Sequence, residues 1–132
     1  MKFRALQVLC ICGIAACWIA CGAGHPTITA ITVSPATASA PVSPPTDVQY
    51  TATATFTNNS SRELTVADGL TWSTSDTSLA TISTNGSATC VGVGQVTVTA
   101  QAPANLNITV NNGVNNTSPN VTGTAQLTCT AM

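Results

Sequence analysis

The chain has 132 residues, room for one domain and little else. Only 5% of residues are charged, and two of the three basic ones, Lys2 and Arg4, stand at the extreme N-terminus. Beyond residue 21 a single cation, Arg62, faces four carboxylates, Asp47, Glu63, Asp68 and Asp76, a net charge of −3. No basic patch is left, which excludes nucleic-acid binding driven by counterion release.

Residues 1–24 read as a targeting segment and tether. Lys2 and Arg4 form a positive start, and residues 5–20 are nearly all apolar, with Gln7 the clear polar exception. A comfortable membrane span needs about 20 apolar residues, so this run suits a signal-peptide core better. Small residues precede two cysteines here, in Ile14-Ala15-Ala16-Cys17 and in Trp18-Ile19-Ala20-Cys21. Both resemble the lipobox of bacterial lipoproteins, in which the cysteine is lipidated on its thiol and becomes the first residue after cleavage. Cys17 has the aliphatic residue expected three positions earlier, whereas Cys21 has Trp18 there. Cys21 is nevertheless the favoured site, because Gly22-Ala23-Gly24-His25-Pro26 makes a plausible flexible tether behind it; Cys17 is the alternative. The plainer readings are an uncleaved anchor or simple secretion, with cysteines that pack as small hydrophobes. The resemblance implies durable attachment, since such lipoproteins carry several acyl chains and one chain alone holds only marginally.

From Thr27 onward the apolar residues recur with period two, the spacing of strands with one buried face. Ile28 to Val33 forms a first strand whose phase breaks between Ala30 and Ile31, where a bulge would restore register. Pro35, Pro41, Pro44 and Pro45 make residues 34–46 an irregular edge segment, because proline cannot donate to a ladder. Val48 to Phe56 alternates most cleanly, with Val48, Tyr50, Ala52, Ala54 and Phe56 on the inward face. Residues 57–69 read as a polar loop. Short strands Leu70 to Ser73 and Leu79 to Ile82 flank the polar turn 74–78, and Asn85-Gly86 is a tight-turn pair leading into Ser87 to Val91. Gln95 to Ala100 turns Val96, Val98 and Ala100 inward, and Gly123 to Cys129 does the same with Ala125, Leu127 and Cys129. Between them, residues 103–120 form an Asn-rich loop, with Leu106 to Val110 as a possible extra strand. Six or seven short strands in this length predict an all-β, immunoglobulin-like sandwich over residues 27–131.

The middle of the chain resembles the bacterial immunoglobulin-like domains of group 2, related to those of invasin and intimin. The residues that carry the likeness are Ile31-Thr32-Val33-Ser34-Pro35, Leu70-Thr71-Trp72-Ser73-Thr74-Ser75-Asp76, Leu79-Ala80-Thr81-Ile82-Ser83, Gly86, and the run from Val91 to Ala100. The loops at 57–69 and 103–120 look longer than that pattern. The resemblance implies a β-sandwich in a surface or adhesion setting; it implies no ligand, because one scaffold serves many tasks.

Individual positions have structural duties. Trp72 is expected as the central core aromatic, since few other large side chains exist to fill a sandwich; a sugar-stacking indole is the sharper alternative. The core should also hold Tyr50, Phe56, Val96, Val98 and Leu127. Gly94 should adopt a backbone conformation closed to other residues. Asp68 and Asp76 are too few and too isolated to argue for calcium, which needs several oxygen ligands. Past the targeting segment only Cys90 and Cys129 remain, and an even pair in an exported domain reads as a disulfide.

Catalysis lacks its parts: the only histidine, His25, lies in the tether, and no nucleophile set, metal cluster or phosphate loop stands out. No cofactor is expected. The expected protein is a non-enzymatic, lipid-anchored envelope protein, periplasmic or on the outer surface, whose domain binds a glycan or protein. The competing readings are a spacer or accessory subunit of an envelope assembly, and a domain that binds nothing strongly. The Asn-rich loop is as consistent with recognition as with a passive, solvated excursion.

Overall fold

A computed structural model describes residues 24–106 and 117–132. The expected signal segment, both lipidation candidates and the extra strand expected from Leu106 to Val110 lie wholly or mostly outside these residues. The described chain is all-β, in two layers. One is a four-stranded sheet in the order β2 (Thr37–Pro41), β10 (Asn120–Thr130), β9 (Gly94–Pro103), β6 (Thr71–Thr74). Facing it are two three-stranded groups: β1 (Ile28–Ser34), β4 (Thr51–Phe56) and β5 (Ser61–Glu63); and β3 (Asp47–Gln49), β8 (Ser87–Cys90) and β7 (Ala80–Ile82). The groups share the chain run 47–56, interrupted only at Tyr50, whose N–H donates to Gly86 O at 2.8 Å.

The alternating runs settle into strands for the expected reason. Along β4 the even residues are buried and the odd ones half-exposed, and β9 buries Val96, Val98, Ala100 and Ala102. β9 and β10 pair antiparallel over ten residues, from Asn120 opposite Pro103 to Cys129 opposite Gly94. Much of the core is alanine: Ala52, Ala54, Ala80, Ala88, Ala100, Ala102 and Ala125 are buried. Facing sheets stand about 10 Å apart, so methyl groups alone leave the interior unfilled. Tyr50 and Leu127, at 1% and 0% exposure, supply much of the missing volume.

Four details differ from the sequence expectation. Ten strands are present among the described residues rather than six or seven. The bulge in β1 falls one residue early: Ile28 faces Phe56 and Ala30 faces Thr55, so Thr29 is the extra residue, and Thr29 and Ala30 both point outward. The proline segment is an edge, yet it contains the regular strand β2, which runs parallel to β10 with Gln126 opposite Thr37. Its prolines sit at its ends, where their missing N–H groups break no ladder bond. Finally, residues 57–69 are not simply a loop. Asn59, at φ 62°, turns the chain back so that Ser61–Glu63 pairs with Thr53–Thr55, and a short 3-10 turn, Val66–Asp68, follows.

Gly94 has φ 155°, and a side chain there would meet Leu79 at 2.8 Å. At Gly123 the constraint is proximity: the carbonyl of Ile31 occupies the place a Cβ would take.

Candidate binding cleft

The core aromatic expected at Trp72 is instead Tyr50. Tyr50 lies in the strand run between the layers, its hydroxyl donating to Gln126 O at 3.4 Å, and burial pushes its phenol pKa up. Trp72 is only partly buried and packs against the core from β6. Its ring centroid lies 6.5 Å from that of Tyr50, tilted by 45°. On another side it touches Gly86, where an added Cβ would lie 3.2 Å from the indole and 2.5 Å from Tyr50 O. The tight turn at Asn85-Gly86 thus leaves the space into which the indole fits. Of the other residues assigned to the core, Phe56, Val96, Val98 and Leu127 are buried.

Beside Trp72 the facing layer opens. The ladder between β4 and β5 ends where Leu64 N–H donates to Ala52 O at 2.8 Å. The ladder toward β8 begins at Tyr50 N–H and Gly86 O. Between them Tyr50 O accepts from a side chain, Gln49 Nε2, at 3.0 Å, and the same amide donates to Asn85 O at 2.7 Å. The strand changes partners here, and a cleft of about 150 Å³ forms at the change. Trp72, Tyr50 and Leu64 form apolar parts of its lining, and Gln49, Glu63 and Asn85 polar ones. Thr51, Thr65 and Thr84 add hydroxyl-bearing residues to the same lining. Sequence reasoning missed this cleft because its lining comes from separated segments; only the Asn85-Gly86 turn and Trp72 gave any signal.

The remaining charges are engaged locally. Arg62 Nη2 donates to Asp68 Oδ1 at 2.6 Å and Nη1 to Asp68 Oδ2 at 3.0 Å. The Arg62 guanidinium also lies 5.7 Å from the centre of the Phe56 ring. The hydrogen bond from Arg62, with further ones from Thr65, lowers the Asp68 pKa to about 2. Asp76 accepts from Ser78 N–H at 2.9 Å and Ser78 Oγ–H at 2.6 Å, which lowers its pKa too. The two aspartates therefore belong to separate turns. Among the described residues no three His, Cys, Asp or Glu side chains gather as a metal site would require.

Cys90, at the end of β8, is bonded to Cys129 in β10, their Cα atoms 5.5 Å apart and both residues 2% exposed. The bond joins the two layers through the core. It lies at the end of the sandwich where Cys129 faces Gly94. The Asn-rich segment leaves from the opposite end. There Ala104 O accepts from Ile28 N–H at 2.7 Å, and Ala104 N–H donates to Pro119 O at 2.8 Å. The base of that segment is thus beside the start of β1.

Residues 27–110 match the bacterial Ig-like domain family, group 2. No curated protein matches the chain. The matched stretch spans β1 to β9 and includes Trp72, the Asn85-Gly86 turn and Cys90. This chain belongs to the bacterial Ig-like domain family, group 2.

Proposed function

We propose that this is a non-enzymatic envelope lipoprotein that displays one Ig-like domain for binding or adhesion at the bacterial surface. The observation that carries the proposal is the Ig-like match over residues 27–110 directly behind a segment with a basic start, an apolar run and cysteines after small residues. Cys21 is the anchor and Cys17 the alternative. Six residues lie between Cys21 and Ile28, a reach of about 25 Å from one Cα to the other when extended. The sandwich is roughly 30 Å tall along the ten residues of β9. Anchored this way, the domain holds the base of its Asn-rich segment toward the membrane. Its flank and the end bearing the disulfide face outward, which shifts recognition away from that segment.

Membrane partitioning of the full chain tests the anchor. Cys21→Ser should release the protein from the membrane fraction, and Cys17→Ser should not. Retention of the immobilised chain on cell-surface and glycan arrays tests binding. Failure on every array would favour the reading as a spacer or accessory subunit of an envelope assembly.

A further inference from the structure

We infer that the cleft where the strand changes partners at Tyr50 is a binding subsite for one uncharged sugar ring. The inference rests on the reading of this domain as a binding module and names the ligand class for it. Size comes first. A cleft of about 150 Å³ has room for about one six-membered ring. Along the strand run 47–56 the edge beside the opening is already taken, by β5 past one side and by β8 past the other, so no added peptide strand can pair there.

Chemistry selects among rings. Trp72 supplies an aromatic surface suited to the C–H face of a sugar. The lining also includes Gln49, Asn85, Thr51, Thr65, Thr84 and Glu63. The Gln49 amide N–H groups are spent on backbone carbonyls and the Thr65 hydroxyl on Asp68, so Asn85, Thr51 and Thr84 are the donors and the Gln49 and Glu63 oxygens the main acceptors. These offer both donors and acceptors, which adjacent hydroxyl groups need and a hydrocarbon ring cannot use. The wall is also set in place beforehand. Gln49 is held by two carbonyls, and Trp72 lies against both Tyr50 and Gly86, so little side-chain freedom is lost on binding. Charge excludes acidic sugars and phosphates. Glu63 is the only charged residue of the lining, and the nearby cation, Arg62, is held by Asp68.

The test uses the full chain carrying Trp18→Phe, so that Trp72 is the sole indole. Its emission is followed during titration with glucose, galactose, N-acetylglucosamine and, as the acidic probe, glucuronate. A saturable change with at least one uncharged sugar is expected, with Kd on the order of 1 mM, and none with glucuronate. Gln49→Ala should weaken that binding about fivefold in titrations run well below its own thermal transition, which the loss of the bonds to Tyr50 O and Asn85 O lowers by a few degrees. Glu63→Gln should let glucuronate bind. A flat response to all three uncharged sugars overturns the inference, and so does equal binding of glucuronate by the unmodified cleft. If Gln49→Ala is retained on a cell-surface array as well as its parent while the sugar titrations are flat, the binding module stands and this subsite falls.

Discussion

Reducing the Cys90–Cys129 bond should remove a large part of the domain's stability. The bond closes a segment with a sequence separation of 39 residues. In the chain-entropy treatment, cross-linking a loop of that length stabilises by about 4 kcal/mol. Small domains are stable by only about 5–15 kcal/mol in total, and this core is rich in alanine. For a domain of roughly 100 residues the loss corresponds to a fall of about 15–30 °C in Tm. The assay is urea unfolding of the oxidised and the fully reduced chain, each held at a fixed redox state. Reduced protein keeps both sulfur atoms, so the comparison isolates the cross-link. Cys90→Ala with Cys129→Ala adds the loss of two buried side chains and should be less stable still. Because both residues are buried, native protein should react with reductant only as fast as it opens. A reduced chain within about 0.5 kcal/mol of the oxidised one would refute the assignment of stability to chain restriction.

Three further perturbations have defined signs. Gly123→Ala places a methyl group on the carbonyl of Ile31 and should cost at least about 1–3 kcal/mol in urea unfolding, with β1 and β10 forced apart. Asp68 has a lowered folded-state pKa, so its contribution is present above about pH 4 and is lost as pH falls toward 2. Arg62 is half exposed, which limits the effect to below about 1 kcal/mol; Asp68→Asn should match its parent at the acid end of a pH series and fall short at neutral pH. Tyr50, the only tyrosine, has a raised pKa from burial, so stability is present below its ordinary value of 10.0 and lost as pH rises beyond it. Phenolate absorbance should then appear together with unfolding, and ionisation at pH 10 with the fold intact would contradict the burial.

How much of this was legible in the chain depended on whether side chains or backbone made the element. β4, β9 and β10 were plain because each buries every second residue. β5 was invisible because Ser61, Arg62 and Glu63 are all exposed; backbone bonds and the Asn58-Asn59 turn create it, and no hydrophobic alternation marks it. β2 was hidden by prolines that mark an edge correctly but say nothing of a parallel partner 89 residues away. Trp72 was misplaced because size alone made it the obvious filler, whereas Tyr50 reaches the interior along the most regular run in the chain. The cleft was unreadable for a related reason: Gln49, Glu63 and Asn85 meet only because β5 and β8 each take half of one strand's edge.

Intact mass of the protein extracted from the bacterial membrane, alkylated without reductant, tests most directly whether an anchored, cross-linked Ig-like domain is what the cell displays. The expected species begins at Cys21, carries the added mass of its acyl chains, and leaves Cys90 and Cys129 unlabelled. A chain that retains Met1 and carries no lipid, or one labelled at both Cys90 and Cys129, would contradict it.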